Sequence, residues 1–226
     1  MASIVKPNIV TDDLVFCVDK DDPKCNFYGT AIDRAQNITT SSSSSTSQTY
    51  ATGDVSSFMN DYSEITAMIW VTKTGTSTGY AEHPFNKWQT SGNALGGASL
   101  ILYHFGNYNS NGDDGEFGFY FGLGGDTWAG TSRTTLVVGD SAFMCLQYTA
   151  STGSQFWRDG EKVHESRQNT GKGNGGADSN RNFGIFTGTS SNNSYVSKVM
   201  IYDKDVDDDV IIHNYNVTKS RFGHIV

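Results

Sequence analysis

The stretch EITAMIWVTK, residues 64–73, decides the fold. Ile65, Ala67, Ile69 and Val71 recur with a period of two, the pattern of a β-strand that lays one face on a core. Met68 and Trp70 occupy the alternate positions, so the other face is covered as well, and the segment reads as an inner strand. Working outward, similar short runs of β-branched and aromatic residues fall at residues 99–105, 115–123, 134–138, 142–149, 155–158, 182–187 and 195–202. The 25 glycines are spread between these runs, and evenly punctuated short strands are the mark of a sandwich or barrel. Within residues 155–163, QFWRDGEKV, the pair Asp159-Gly160 sits where a two-residue type I′ hairpin turn requires positive φ.

The 226 residues, 36% hydrophobic and 12% aromatic, suffice for one large core, and sandwiches of this length commonly form one domain. The expectation is a single domain over residues 1–226, with 1–12 as an N-terminal arm. Residues 39–49, rich in Ser and Thr, read as a solvated loop, and residues 168–181 as a polar glycine-rich connector. Helix is expected once: Asp205 caps a segment of one or two turns over residues 206–213, with Asp207, Asp208 and Asp209 at its positive end.

Sixteen Lys and Arg against 24 Asp and Glu give a net charge of −8, which offers no purchase on a phosphate backbone and argues against nucleic acid as a partner. No window approaches the roughly 20 apolar residues of a spanning helix, so no membrane insertion is expected. The first residues do not pattern as a secretory signal, and a soluble protein made in the cytoplasm is expected. Cys17, Cys25 and Cys145 lack metal-site spacing and read as small buried hydrophobes.

Four ordered segments carry a family resemblance. The start PNIVTDDLVFCVDKDDPKCNFYG, with Leu14, Val15, Asp19 and Pro23 matching and Cys17 and Lys20 departing, resembles the opening of concanavalin A-like (laminin-G-like) jelly-roll domains of phages and bacteria. ITAMIWV with Trp70, the hairpin FWRDGEKV with Asp159 where Asn is commoner, and the closing YVSKVMIYDKDVDDDVIIHNYNVTKSRFG resemble the family's later elements in the same order. The resemblance implies an all-β, two-sheet antiparallel jelly roll with one short C-terminal helix. It also implies that Asn214, Tyr215, Lys219, Arg221 and Phe222 act structurally where the tail returns to the first strand.

The fold also carries retaining glucanases, whose two carboxylates stand roughly 5 to 5.5 Å apart and come from a Glu-x-Asp-x-Glu strand. None of Glu64, Glu82, Glu116, Glu161 and Glu165 is followed by Asp two residues on. A GxSxG elbow and a GxxxxGK[ST] phosphate loop are also missing. The expectation is therefore a protein that is not an enzyme and holds no cofactor. Two groups of hard oxygen ligands bear on calcium. Asp203, Asp205, Asp207 and Asp209 begin like an EF-hand loop, yet Asp208 stands at the glycine position and Asn214 at the twelfth, so helix capping is the better reading. Asp113, Asp114 and Glu116, with Asn111, lie in NSNGDDGEFG and form the calcium candidate, against the favoured reading of an ordinary Asx- and glycine-rich turn. Sugar binding would use an aromatic platform flanked by amides. Trp88, Tyr108 and Trp128 are its loop candidates, with Asn107, Asn109 and Asn111 beside Tyr108, whereas Trp70 and Trp157 match core positions.

The resemblance implies a structural protein on the exterior of a bacteriophage virion, a capsid decoration or fibre component, with other virion proteins (capsid or tail) as partners and homo-oligomerisation. The alternative is an adhesin or lectin module that binds host-surface glycans.

Overall fold

The computed structural model describes residues 9–19, 27–28, 48–50, 61–75, 81–87, 100–105, 116–124, 127–130, 133–168, 173–174, 183–185 and 194–222. In chain order the strands are β1 (Leu14–Asp19), β2 (Phe27–Tyr28), β3 (Gln48–Tyr50), β4 (Asp61–Tyr62), β5 (Glu64–Lys73), β6 (Ala81–Lys87), β7 (Leu100–Phe105) and β8 (Glu116–Gly124). They continue with β9 (Thr127–Gly130), β10 (Thr134–Thr135), β11 (Ser141–Thr149), β12 (Gly153–Arg158), β13 (Glu161–Gln168), β14 (Gly173–Asn174), β15 (Phe183–Ile185) and β16 (Ser194–Tyr202). Helix α1 (Asp208–Thr218) and a 3-10 turn, Lys219–Arg221, follow.

The strands form two sheets. A seven-stranded sheet runs β13-β12-β11-β5-β16-β1-β2, and a nine-stranded sheet runs β3-β15-β6-β7-β8-β14-β4 with β9 and β10 also paired to β8. Among the described residues the pairings are antiparallel apart from one parallel bridge, Asn174 to Leu123. The architecture is the antiparallel sandwich with a single C-terminal helix that the sequence implies.

As the alternation in residues 64–73 requires, β5 faces two cores. Ile65, Ala67, Ile69 and Val71 join Ala142, Met144, Leu146, Tyr148, Phe156, Val199 and Ile201 against Phe85, Leu100, Leu102, Phe117, Phe119 and Phe121 of the other sheet. Ring contacts fill this layer, with Phe121 and Tyr148 centroids 4.9 Å apart. Met68 and Trp70 face the opposite way, with Cys17, Phe143, Cys145, Trp157, Met200 and Tyr202, and α1 covers them through Ile211 and the segment after it through Phe222. A register shift between Val196 and Lys198 lets both Val196 and Val199 enter the inter-sheet core.

The helix starts later and runs longer than expected. Asp207, not Asp205, holds the N-cap position, and its side chain makes no cap hydrogen bond. The preceding backbone is already held by the sheet. Thr66 Oγ1 donates to the Lys204 carbonyl at 2.7 Å and accepts from the Val206 N–H at 3.1 Å. Gln147 Nε2 donates to the Val206 carbonyl at 2.8 Å. The helix then continues to Thr218 because Ile211, Asn214 and Thr218 lie on one stripe and are all buried.

The Asp159-Gly160 turn forms as expected, with φ of 53° and 81°. Strand β3 takes in Gln48 and Thr49, the end of the segment read as a loop, and β14 lies within the connector. Residues 1–8 of the expected arm, 39–47 of the loop, and 169–172 and 175–181 of the connector lie outside the described residues, as does Cys25. Cys17 and Cys145 are buried, and neither is in a disulfide, matching the reading of both as small hydrophobes. The tail residues are structural: Asn214 reaches the segment before β1, its Oδ1 accepting from the Val10 N–H at 2.9 Å. Tyr215 and Phe222 pack on Trp70, at 6.0 and 5.0 Å between centroids. Lys219 Nζ stands 5.5 Å from the centre of the Tyr215 ring, and the Arg221 guanidinium 5.4 Å from that of Phe222.

Candidate functional site on the nine-stranded sheet

The two sheets differ in what lies on their outer faces. The seven-stranded sheet has α1 on its own; among the described residues no helix lies over the nine-stranded sheet. On β8, Phe117, Phe119 and Phe121 are fully buried, so Gly118, Tyr120 and Gly122 hold positions on the outer face. The register carries this parity to the neighbours. Tyr103 of β7 pairs with Gly118, Tyr120 pairs with Ile101 of β7 and Gly130 of β9, and Trp128 of β9 pairs with Gly122. Three aromatic residues therefore step diagonally across three adjacent strands on one face. Each step is one strand sideways and two residues along, about 8 Å. Each of the three is paired with a glycine, Tyr103 with Gly118, Tyr120 with Gly130 and Trp128 with Gly122.

Of the expected sugar-site residues, Trp128 takes an outer-face register position, in a strand rather than a loop; β9 forms by pairing with residues 120–124 of β8. Trp88, Tyr108, Asn107, Asn109 and Asn111 lie outside the described residues. Trp70 and Trp157 are buried, at 0% and 2% exposure, in the core beneath α1. Tyr103 and Tyr120 were missed, though alternation in EFGFYFGLG already separates Tyr120 from the three phenylalanines.

Of the calcium candidates, Asp113 and Asp114 lie outside the described residues. Glu116 opens β8 and accepts a charged hydrogen bond from Arg133 Nη1 at 3.1 Å. Asp203, Asp205, Asp207 and Asp209 do not converge, and among the described residues no group of three His, Cys, Asp or Glu could hold a metal. Asp208 is ion-paired with Lys162.

The titratable groups beneath α1 serve packing. Burial pushes the Cys145 thiol well up, with further help from Asp205 and Asp208. Burial also raises Tyr202, against the lowering effect of its hydrogen bond from Asn214. Neither group is ionised near neutrality.

No family model and no curated protein matches the chain by sequence. Solved structures do match. A Trypanosoma rangeli sialidase in complex with 2,3-difluoro-KDN aligns with TM-score 0.60 and 13% identity, over 100% of this chain and 37% of that one. The same sialidase in complex with sialic acid aligns with TM-score 0.59 and 12% identity, over 96% of this chain and 35% of that one. This chain thus spans about a third of the sialidase chains. At these identities the likeness shows the fold, a lectin-like β-sandwich. It overturns the expectation that the chain is not an enzyme. That expectation rested on a missing glucanase carboxylate strand, a missing GxSxG elbow and a missing phosphate loop, and this fold occurs in chains of a different enzyme, a sialidase.

Proposed function

We propose that the chain is a carbohydrate-binding β-sandwich module that takes a glycan on the outer face of its nine-stranded sheet. The observation that carries this reading is the diagonal of Tyr103, Tyr120 and Trp128, each paired with a glycine. Sugar rings have apolar faces edged by hydroxyls, so three aromatic residues at neighbouring outer-face register positions suit a run of linked sugars. The fold shared with sialidase structures that bind sialic acid supports the same reading. A glycan array with the full chain, with and without millimolar calcium, tests it. Binding that Tyr120→Ala abolishes is the expected result, and no binding in either condition overturns it. The calcium arm addresses Asp113, Asp114 and Glu116: a gain in affinity on adding calcium supports that site.

For the setting, we infer the exterior of a phage virion, with the module displayed in several copies beside capsid or tail proteins and directed at host-surface glycan. The support is the ordered resemblance of residues 7–29, 65–71, 156–163 and 195–223 to phage and bacterial jelly-roll domains. Mass spectrometry of purified particles tests it: the chain at a copy number tied to the capsid is expected, and its absence from particles refutes the setting.

A further inference from the structure

We propose that the layer beneath α1 binds soft monovalent metal ions, of the copper(I) and silver(I) class, one at each of two cysteine–methionine pairs.

Strand register carries it. Cys17 of β1 pairs with Met200 of β16, Met200 with Met68 of β5, and Met68 with Cys145 of β11. These strands are consecutive in the seven-stranded sheet, so the four sulfur-bearing residues form one row across it. All four belong to the cluster that α1 covers, and none is more than 1% exposed. Met68 Sδ accepts from Asn214 Nδ2 of α1 at 3.4 Å, which places it in the layer between sheet and helix. Each thiol thus has a thioether as its neighbour on the adjacent strand, Cys17 with Met200 and Cys145 with Met68.

Spacing and charge select the ion. Directly paired residues have Cβ atoms about 4.5–5.5 Å apart, and an ion bonded to two sulfurs at about 2.3 Å each spans roughly the same distance. Thiolate and thioether are soft ligands that favour copper(I). Cys17 and Cys145 stand three strand spacings apart, about 14 Å, too far to share one ion. An ion at either pair therefore meets one thiolate. A monovalent ion then gives a neutral complex, which suits an apolar layer, whereas zinc(II) would leave a net positive charge buried there. The step releases one proton, which the thiol loses as the sulfur–metal bond forms. At Cys145 the nearby carboxylates of Asp205 and Asp208, which disfavour a bare thiolate, favour the cation that takes the proton's place.

The test uses the full chain as Cys25→Ser, which removes the third thiol, freshly reduced and in chloride-free buffer. Silver(I) is added to the native protein and, separately, during refolding from urea, so that burial does not limit entry. Metal retained after desalting is counted by mass spectrometry, with folding checked by circular dichroism. The expected result is about two silver ions per chain, a Tm raised by about 5 °C or more, and no zinc(II) retained in a parallel sample. Cys145→Ala should keep one ion. Met68→Leu and Met200→Leu, which conserve core volume, should each weaken retention of one ion at least about tenfold against a competing chelator. Silver absent from both preparations, silver held equally well by the folded leucine variants, or zinc(II) held as tightly as silver would overturn the proposal.

Discussion

Replacing Asn214 with Ala should unlatch the start of the chain from its end. Asn214 is fully buried on α1. Its Oδ1 accepts from the Val10 N–H at 2.9 Å, and its Nδ2 donates to the Tyr202 hydroxyl at 2.7 Å, with Met68 Sδ at 3.4 Å. The Tyr202 hydroxyl in turn donates to the Val10 carbonyl at 2.7 Å, which closes the loop. Alanine leaves the Val10 N–H without its partner and removes the donor to Tyr202, each at about 1–2 kcal/mol. The vacated amide volume adds about 1 kcal/mol. A loss of about 4 kcal/mol is expected, within a range of roughly 3 to 5. With a urea slope near 3 kcal/mol/M for a chain of this size, the unfolding midpoint should fall by about 1.3 M at unchanged slope. Asn216→Ala on the exposed side of the same helix separates this loss from helix propensity and should stay within about 0.5 kcal/mol of the parent. A midpoint shift below about 0.3 M for Asn214→Ala would refute the latch.

Gly160→Ala should cost about 2–3 kcal/mol and lower Tm by roughly 5–10 °C in calorimetry, because φ is +81° and a new Cβ would lie 2.7 Å from Tyr215 Cδ1. An unchanged Tm would mean the hairpin is not pressed against the helix. Cys17 and Cys145 should react with a thiol reagent such as DTNB only after unfolding, since both are buried and burial holds the Cys145 thiol neutral; prompt labelling of a native Cys25→Ser protein at pH 8 would contradict this. Stability should fall in alkali. Burial raises Tyr148 to about 12 and raises Tyr202 further. The folded state therefore keeps protons that the unfolded state releases from about pH 10 upward. This stabilisation is complete below about pH 10 and is lost as pH climbs through the folded values. A Tm that stays level from pH 9 to 12 would show that these hydroxyls are not buried.

How much of this was legible in the sequence depended on whether a signal was local. Residues 64–73 announced a strand covered on both faces because alternation alone separates Ile65, Ala67, Ile69 and Val71 from Met68 and Trp70. Asp159-Gly160 announced its turn through backbone preference. The start of α1 was misplaced because its limit is set by Thr66 and Gln147, residues distant in sequence whose side chains hold residues 204–206. Strand β6 was missed because Pro84 argues against a strand, and a register shift between Glu82 and Phe85 accommodates it. The aromatic diagonal was hidden for a similar reason. Tyr103, Tyr120 and Trp128 are far apart in sequence and share a face only through pairing register, while the more conspicuous Trp70 and Trp157 are core residues.

The most direct measurement is titration of the full chain and of Tyr120→Ala with the strongest hit from the glycan array, following intrinsic tryptophan fluorescence and checking both proteins by circular dichroism. Sugar stacking on an aromatic ring is lost on truncation, so Tyr120→Ala should keep the parent spectrum and bind at least about tenfold more weakly. Undiminished binding by a folded Tyr120→Ala would contradict the placement of the site on this face.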